Sequence, residues 1–440
     1  MAKIFGTDGV RGVAGTELTE ELAYKLGQAA VQLLGKKMVI GRDTRKSGPM
    51  LESALAAGIA AAGGEAVLAG IIPTPAVALL TRQLNAAGGV VISASHNPPE
   101  YNGIKFFDDK GFKLTTMLED EFETFILSGE RIDADEPGVT VPMEDALERY
   151  VAHAVDTVLR QGTDLQGLRV AVDCGHGASY ATTPEALRRL GADVIVINTD
   201  FSGDDINVNC GSTHLEPIKA LVAKTDADVG ISHDGDADRV IAIDSHCREV
   251  DGDFIEAICA KDLKERGKLA NNTVVSTVMC NLGFQNSMKN LDIDVILTQV
   301  GDSQVLEAML EGGYILGGEQ SGHTIFLELN STGDGLVTAL QLLSVMKRSK
   351  KTLTDLTQVM TKYPQALINV KVVNKAGLKD SMAISTAVEE AQVRLQESGR
   401  ILVRASGTES LVRVMVEASD EVVANEVAQK LAEIVKTELG

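Results

Sequence analysis

The chain is 440 residues long, of which 44% are hydrophobic and 23% charged. This composition excludes wholesale disorder, and at about 150 residues per domain the length predicts roughly three domains. The formal net charge of −21 argues against general binding to nucleic acid or to an anionic membrane, so an anionic ligand requires a local concentration of positive charge.

Five scattered cysteines without a C-x-x-C pair argue against a disulfide framework and a zinc ribbon, and they favour a reducing compartment. The N-terminal segment MAKIFGTDGVRG has no apolar signal core. The most apolar stretch, residues 54–80, is interrupted by glycine, glutamate and proline, so it is not a membrane span. We therefore expect a soluble cytoplasmic protein with neither a membrane nor a nucleic-acid partner.

Short apolar runs rich in β-branched residues alternate with helical patterns through most of the chain. In chain order we predict a helix at 20–34, a strand at 37–40, a helix at 51–62, strands at 65–68 and 89–92, a helix at 146–158, a strand at 168–172, a helix at 183–190, and strands at 193–197 and 228–231. This alternation is typical of α/β domains with mixed, mostly parallel sheets.

The pattern changes near the end of the chain. Predicted strands at 366–373, 400–404 and 412–417 surround a helix at 384–397, and a helix at 421–439 closes the chain. This pattern indicates a smaller C-terminal α+β domain. We place the domains at 1–150, 151–251, 252–364 and 365–440.

Three apolar strands run directly into polar loops, in the segments GGVVISASHNP, ADVGISHDGDAD and GYILGGEQSGH. Ligands of parallel α/β sheets bind outside the carboxyl ends of the strands, so we expect these loops to face one central cleft. In the first loop Ser95 follows a strand and could act as a nucleophile or carry a phosphoryl group. The six residues SASHNP, taken alone, are better interpreted as an ordinary turn.

In the second loop Asp234, Asp236 and Asp238 occupy alternate positions and can converge on a hard divalent cation. An EF-hand is excluded because Arg239 stands where that loop needs glycine. A solvated acidic turn is the alternative, but three adjacent carboxylates repel unless something neutralises them, so we favour a metal site.

Two further loops suggest ligand contacts. Glu319 and Ser321 in GEQSGH suit sugar hydroxyls, although on this segment alone a plain loop is the better interpretation. Arg404, Ser406 and Arg413 form a concentrated cationic segment that could bind an anion or could only cap a turn. The segment DCGHGAS resembles part of a dinucleotide fingerprint but lacks its third glycine, so a tight turn is favoured over an NAD site.

Together these segments resemble the α-D-phosphohexomutase superfamily over essentially the whole chain. Its motifs match, in order, as FGTDGVRG, GRDTRKSG, PTPAVA, SASHNP with NGIKFF, DGDADR, GEQSGH and RASGTE. The runs CGSTH and TVMCNLG are most similar to the glucosamine branch. The resemblance implies three similar α/β domains and a smaller fourth one around a central cleft.

The resemblance also implies residue roles. Ser95 would be the phosphoserine, and its phosphate would hold Mg²⁺ together with Asp234, Asp236 and Asp238. Groups implied in catalysis near the serine are Arg11, His96, Lys105 and His323. Residues implied in substrate binding are Arg239, Gly301, Asp302, Glu319, Ser321, Arg404, Ser406, Gly407, Thr408 and Arg413.

The implied enzyme is an intramolecular phosphotransferase of the isomerase class. It would interconvert glucosamine 6-phosphate and glucosamine 1-phosphate through a 1,6-bisphosphate, which also acts as activator, and would supply amino-sugar and peptidoglycan precursors on the route to UDP-N-acetylglucosamine. Glucose or mannose phosphates are the alternative substrates, because Ser303 and Gln304 replace residues usual in the family. A non-catalytic protein that only binds sugar phosphates remains an alternative. A homodimer is a possible assembly.

Overall fold

The structure is a computed structural model, and it describes residues 4–6, 8–406 and 410–440. The chain divides into two compact units. One comprises Met1–Met279 and Asp292–Val359, and the other comprises Cys280–Leu291 and Met360–Gly440. The first unit carries three sheets and the second carries one.

The first sheet is built from the N-terminal third of the chain. Its elements are β1 (Val10–Val13), α1 (Glu20–Leu33), β2 (Lys37–Arg42), α2 (Gly48–Ala61), β3 (Glu65–Ile71), α3 (Thr74–Gln83), β4 (Gly88–Ile92), β5 (Tyr101–Phe107), α4 (Thr116–Ser128) and β6 (Val139–Pro142). The strand order is β1-β5-β4-β2-β3-β6. Strand β5 runs antiparallel to β1 and β4, whereas β4, β2, β3 and β6 are mutually parallel.

Helices α1 and α2 pack at very close range. A Cβ on Gly58 would lie 2.0 Å from the carbonyl oxygen of Tyr24, and one on Gly27 would lie 2.3 Å from that of Leu55. Only glycine permits this approach. Other residues of α1, α2 and α4 contribute to a hydrophobic core that includes Phe106. The ring centroid of Phe106 lies 4.9 Å from that of Phe122.

The second sheet follows a bridging helix. Its elements are α5 (Ala146–Leu159), β7 (Arg169–Asp173), α6 (Thr182–Arg189), β8 (Asp193–Ile197), α7 (Glu216–Thr225), β9 (Val229–His233), β10 (Val240–Asp244) and β11 (Glu249–Val250). The strand order is β11-β10-β9-β7-β8, with β8, β7 and β9 parallel. Strand β10 returns antiparallel to β9, so the DGDADR segment forms the turn between them.

The third sheet has order β13-β12-β14-β15, and only β15 is antiparallel to its neighbour. The elements in this part of the chain are α8 (Gly252–Glu265), β12 (Thr273–Thr277), α9 (Leu282–Asn290), β13 (Asp294–Thr298), α10 (Asp302–Gly312), β14 (Leu316–Gly318), β15 (Thr324–Phe326), α11 (Gly335–Ser349) and α12 (Leu353–Leu356). The GEQSGH segment connects β14 to β15.

The second unit is a small α+β fold with an all-antiparallel sheet of order β16-β18-β17. Its C-terminal elements are β16 (Gln365–Lys371), α13 (Met382–Leu395), β17 (Gly399–Ala405), β18 (Leu411–Ala418) and α14 (Glu421–Leu439). Helix α9 also belongs to this unit, although it lies between β12 and β13 in the chain.

Helix α9 is tied to this sheet by a buried carboxylate. Glu417 accepts hydrogen bonds from Asn281 Nδ2 at 3.1 Å and from Leu282 N at 2.9 Å. Arg400 donates to the same carboxylate at 3.1 Å and to the carbonyl oxygen of Cys280 at 2.7 Å. The hydrophobic pattern alone did not predict this long-range connection.

The predicted fold class is confirmed, since mixed and mostly parallel sheets are followed by a smaller α+β domain. Helix α2 begins at Gly48 rather than at residue 51, because Pro49 suits the first turn of a helix. Within the described part of the chain, no helix has both the length and the apolar character needed to cross a membrane. The boundaries at 150, 251 and 364 stay predictions.

Candidate active site

Ser95 lies in a buried turn just after β4. Its exposed fraction is 1%, and its backbone takes a left-handed conformation with φ of 52°. The hydroxyl of Ser93 accepts a hydrogen bond from the backbone N–H of Ser95 at 2.9 Å. Such a conformation costs a non-glycine residue free energy, so the surroundings must hold the turn in place.

The guanidinium of Arg45 holds this turn. It is fully buried and donates to the carbonyl oxygens of Ser95 at 2.9 Å and Asn97 at 2.8 Å. It also donates to the carbonyl oxygens of Pro98 and Tyr101 and forms an ion pair with buried Asp43 at 2.9 Å. The backbone around Ser95 is therefore fixed by one cation whose two terminal nitrogens both donate to it.

Three carboxylates converge on the serine from the β9–β10 turn. The hydroxyl of Ser95 donates to Asp234 Oδ2 at 2.6 Å. Asp234, Asp236 and Asp238 are all buried, and each offers an oxygen within 4.8 Å of the others. Four oxygen-bearing side chains thus surround one small volume, which is the donor set that Mg²⁺ prefers.

The electrostatics of this trio fit a cation. Burial, followed by Asp238 and Asp236, raises the pKa of Asp234 well above its usual range. Oδ1 of Asp236 and Oδ1 of Asp238 are buried, and neither has a hydrogen-bond partner among the described residues. Buried oxygens normally have partners, so these two are suited to ligate a divalent metal ion.

The DCGHGAS turn supports the carboxylate turn. A Cβ on Gly177 would lie 2.4 Å from the carbonyl oxygen of Gly235, and the N–H of Ala178 donates to that oxygen at 2.8 Å. Gly175 has a φ of 57°, as the tight turn requires. Packing against the acidic turn therefore explains Gly177 and the left-handed backbone explains Gly175, so the dinucleotide alternative gains no support.

Lys105 lies between acidic groups beside the trio. Its Nζ is 2.9 Å from Asp236 Oδ2 and 3.0 Å from Asp8 Oδ2, and the side chain is almost fully buried. Burial acts to lower the pKa of Lys105, but Asp236 and Asp8 outweigh it and raise the pKa. Lys105 is therefore a fixed cation at neutral pH.

Lys113 extends the same chain of charges to the third sheet. Its ammonium contacts both Asp8 and Asp302 at short range. The other neighbour of Asp302 is His323, with 3.7 Å between Oδ2 and Nε2. Nδ1 of His323 in turn lies 3.5 Å from Asp238 Oδ2. Carboxylates and basic side chains thus alternate in one series that runs from the first sheet to the third and ends at the acidic turn.

The pKa values of the two histidines in this cluster are shifted in opposite directions. Burial, assisted by Arg239, lowers the pKa of His96 to about 4, so its ring is neutral at pH 7. Its Nδ1 lies 3.2 Å from Ser95 Oγ. Burial acts in the same direction on His323, but Asp238 outweighs it and raises the pKa of His323.

Two arginines flank the turn. Arg11 contacts Asp8 at short range and lies 3.5 Å from the carbonyl oxygen of Ala94. The backbone N–H of Arg239 donates to Asp234 Oδ1 at 3.2 Å. The guanidinium of Arg239 lies 3.7 Å from Asp238 Oδ1, so both arginines bring positive charge to the region of the serine and the acidic trio, where an added phosphate would need it.

The GEQSGH loop is held by backbone contacts. Glu319 N–H donates to the carbonyl oxygen of His323 at 2.9 Å, and Gly322 N–H donates to that of Glu319 at 2.9 Å. Gly322 accepts from Val240 N–H at 3.1 Å, immediately after the acidic turn. The side chain of Ser321 is exposed and that of Glu319 half-buried, so both remain accessible to a ligand.

The second unit carries its own cationic cluster. Arg404 on β17 and Arg413 on β18 are direct cross-strand partners. Burial and Arg413 lower the pKa of Arg404, as expected for two adjacent cations. Lys375 donates to the carbonyl oxygen of Ser406 at 2.8 Å. Adjacent like charges favour an anionic ligand. Gly407 and Thr408 lie outside the described residues.

Family models match almost the entire chain. They are those of phosphoglucomutase/phosphomannomutase: alpha/beta/alpha domain I over residues 2–132, domain II over 148–248, domain III over 251–363 and the C-terminal domain over 367–434. Curated relatives narrow the match. The chain is 51% identical to phosphoglucosamine mutase of Symbiobacterium thermophilum, with 100% of both chains covered, and 50% identical to that of Clostridium acetobutylicum, with 99% of both covered.

The chain belongs to the phosphoglucosamine mutase family. Solved structures agree on the fold of this family member. A phosphoglucomutase/phosphomannomutase family protein of Burkholderia thailandensis matches with a TM-score of 0.83 at 23% identity, covering 99% of this chain and 97% of that one. Aspergillus fumigatus N-acetylphosphoglucosamine mutase, solved with GlcNAc-6P and magnesium, matches with a TM-score of 0.72 at 19% identity, covering 99% and 96%.

The structure brings many of the predicted residues of this phosphoglucosamine mutase family member together. Ser95, His96, Lys105, His323, Asp302 and the acidic trio form one connected cluster within the first unit. Gly301, whose φ is 134°, immediately precedes Asp302 at the start of α10. Arg404, Ser406 and Arg413 lie in the second unit.

The polar residues of the site that were not predicted include Asp8, Arg45, Lys113 and Lys375. Asp8 and Arg45 fall inside motifs that carried the resemblance, so their motifs were a usable signal. Lys113 and Lys375 fall outside those motifs. Their partners are distant in sequence, 189 residues away for Lys113 and Asp302, so only the folded chain reveals them.

Proposed function

We propose that this protein interconverts glucosamine 6-phosphate and glucosamine 1-phosphate through a phosphorylated Ser95. The proposal rests on one observation above all: the hydroxyl of a buried serine lies 2.6 Å from a carboxylate of a convergent acidic trio. The full-length relatives at about 50% identity support glucosamine phosphates as the substrate class.

In the proposed reaction the phosphoryl group leaves Ser95 Oγ and bonds to the free hydroxyl of the sugar monophosphate, which loses its proton. The product is glucosamine 1,6-bisphosphate. In the second half, the other phosphate returns to Ser95 and the sugar leaves as the isomeric monophosphate. When bound by Asp234, Asp236, Asp238 and the phosphate of Ser95, Mg²⁺ supplies neutralisation of phosphoryl charge.

The surrounding residues have distinct proposed tasks. Lys105 and Arg11 contact the phosphoryl oxygens, since both are cations held in place by carboxylates. His96 is neutral and adjacent to Ser95 Oγ, so it is placed to accept a proton there, whereas the raised pKa of His323 favours the protonated ring that a proton donor needs.

The remaining predicted residues bind the sugar phosphate. Glu319 and Ser321 offer an acceptor and a hydroxyl to the sugar. The proposed contacts to the phosphate that is not reacting are Arg404, Ser406, Gly407, Thr408 and Arg413, with Arg239, Gly301 and Asp302 completing the substrate site. The cytoplasmic location, the homodimer and the absence of a nucleic-acid partner stay predictions.

The test of function is ³¹P NMR of the purified protein with Mg²⁺ and a catalytic amount of sugar bisphosphate. Separate samples receive glucosamine, glucose or mannose 6-phosphate. We expect the fastest growth of a 1-phosphate signal from glucosamine 6-phosphate. Faster conversion of the glucose or mannose compound would assign the other substrate branch, and no conversion in any sample would leave a binding protein.

The test of mechanism is Ser95→Ala. Turnover should fall to background because the variant lacks the oxygen that carries the phosphoryl group, while the thermal midpoint should remain close to that of the wild type. Ser53→Ala is the matched control, since Ser53 only donates to the carbonyl oxygen of Pro49 within α2. Full activity of Ser95→Ala would contradict the mechanism.

A further inference from the structure

The GEQSGH loop rests on the first turn of helix α8. The N–H of Gly252 donates to the carbonyl oxygen of Gln320 at 3.1 Å. In the same place the amide Nε2 of Gln320 donates to Asp253 Oδ2 at 2.9 Å. One loop residue is thus held at both its backbone and its side chain by two consecutive residues of α8.

Gly252 brings the two segments unusually close. A Cβ at position 252 would lie 2.0 Å from the carbonyl oxygen of Glu319, which is shorter than side-chain carbons tolerate. The absent side chain therefore allows the Glu319 backbone to lie directly on the helix. Because Glu319 carries the carboxylate offered to the sugar, the position of this contact sets the position of that carboxylate.

Asp253 is well placed to hold the loop. Its side chain is fully buried, and a hydrogen bond to a buried carboxylate is stronger than one between neutral groups. The turn that carries Asp253 is itself fixed, because Asp251 caps α8 by accepting from Phe254 N–H at 3.3 Å. The anchor is therefore a rigid element rather than a second loop.

We propose that Gly252 and Asp253 are positioning residues for sugar recognition. By fixing Gln320 they place Glu319 and Ser321 against the hexosamine and so set its affinity, without touching the phosphoryl group or the acidic trio. This inference rests on the proposed function for its kinetic consequence, but its structural part, the anchoring of residues 319–322, is independent of any activity.

The experiment compares Asp253→Ala with Asp253→Asn. Loss of the carboxylate should raise KM for glucosamine 6-phosphate about tenfold, since a hydrogen bond to a charged group contributes roughly that factor. The value of kcat should change less than threefold, and the Kd for Mn²⁺ should be unchanged. Asp253→Asn keeps an oxygen acceptor for Gln320 and should restore most of the affinity.

The matched control is Asp262→Ala, at the other end of the same helix. Asp262 accepts from Arg266 at 3.0 Å and from Arg348 at 2.7 Å, away from the loop. It should lower the thermal midpoint but leave KM within twofold of the wild-type value. Equal KM changes in the two variants would show a general effect of destabilising α8 and would overturn the proposal.

Hydrogen exchange separates this inference from the proposed function. The amides of Glu319 and Gly322 are hydrogen-bonded within the loop, so Asp253→Ala should accelerate their exchange at least tenfold, and Asp262→Ala should not. An inactive wild type with this exchange pattern would contradict only the mutase assignment. Unchanged exchange at residues 319–322 would overturn the anchoring whether or not the enzyme turns over.

Discussion

Arg45 shows how one buried side chain can hold a whole turn. Its guanidinium reaches four carbonyl oxygens of residues 95–101 and the carboxylate of Asp43, and both charged groups are fully buried. Removing one partner of a buried ion pair leaves the other uncompensated in a medium of low dielectric constant. The turn around Ser95 should therefore be very sensitive to this position.

We expect Arg45→Met to lower the free energy of unfolding by about 3 to 5 kcal/mol. Urea denaturation measures the loss. Arg149→Met is the control, because Arg149 forms an ion pair with Asp145 in which both side chains are substantially exposed, and it should cost less than about 1 kcal/mol. Equal losses in the two variants would contradict the role given to Arg45.

The buried carboxyl group of Glu256 should make the free energy of unfolding depend on pH. It is buried in α8, and burial together with Asp253 raises its pKa well above the usual range. The folded protein therefore keeps a proton on Glu256 that the unfolded chain releases near its ordinary pKa. Stability is fully present below that ordinary pKa and is lost as pH rises towards the raised one.

The isosteric change Glu256→Gln removes this titration. The wild type should lose stability relative to the variant as pH rises above about 5, by up to roughly 1.4 kcal/mol per pH unit. Urea denaturation of both proteins at intervals from pH 5 to pH 9 gives the difference. A constant difference across this range would show that Glu256 does not titrate above its ordinary pKa.

At the scale of elements, the site is built from turns that support one another. The DCGHGAS turn lies against the β9–β10 turn at Gly177, and the GEQSGH loop accepts a hydrogen bond from the start of β10. The position of the acidic trio thus depends on Gly177, which carries no chemistry itself. The contribution of this glycine can be measured through metal binding.

We expect Gly177→Ala to weaken Mg²⁺ binding at least tenfold, because the added carbon would lie 2.4 Å from the carbonyl oxygen of Gly235 and displace the acidic turn. Titration calorimetry measures the Kd. Gly162→Ala is the control, since its φ is 70° but nothing lies within 4 Å of an added carbon. It should cost stability without changing the Kd, and an unchanged Kd in Gly177→Ala would contradict this account.

The sequence supports prediction of local features better than distant ones. The hydrophobic periodicity and the turn-forming residues predicted β9 and the acidic turn close to their observed positions in the chain. Helix α14 spans the predicted residues 421–439. Motif order supplied Ser95 and its partners. Lys113 could not be found this way, because a lysine near an exposed turn has no local pattern that distinguishes it, and its ion pair with Asp302 exists only after two sheets meet.

At the scale of the molecule, the two units are not two continuous segments of chain. The smaller one takes α9 from between two strands of the third sheet. Glu417, fully buried, connects α9 to the antiparallel sheet through Asn281 and Leu282, and Arg400 neutralises its charge. One carboxylate thus joins segments that are far apart in sequence.

We expect Glu417→Ala to cost about 2 to 4 kcal/mol, because the buried amide of Asn281 and the partly buried guanidinium of Arg400 both lose the carboxylate that accepts from them. Hydrogen exchange should become faster across residues 282–290 while β12 stays protected. Glu421→Ala is the control, since its exposed side chain lies at the start of α14. Unaltered exchange in residues 282–290 would show that α9 is held by other contacts.

The interleaved unit also sets an order of events during synthesis. Asn281 leaves the ribosome 136 residues before Glu417, its hydrogen-bond partner. At 5 to 20 residues per second, α9 waits roughly 7 to 27 s for the strand that supplies this carboxylate. Throughout that interval the helix, whose Phe284 and Met288 are buried in the finished protein, lacks the C-terminal elements of its unit. The nascent chain therefore carries an unfinished unit, open to chaperones, until translation is nearly complete.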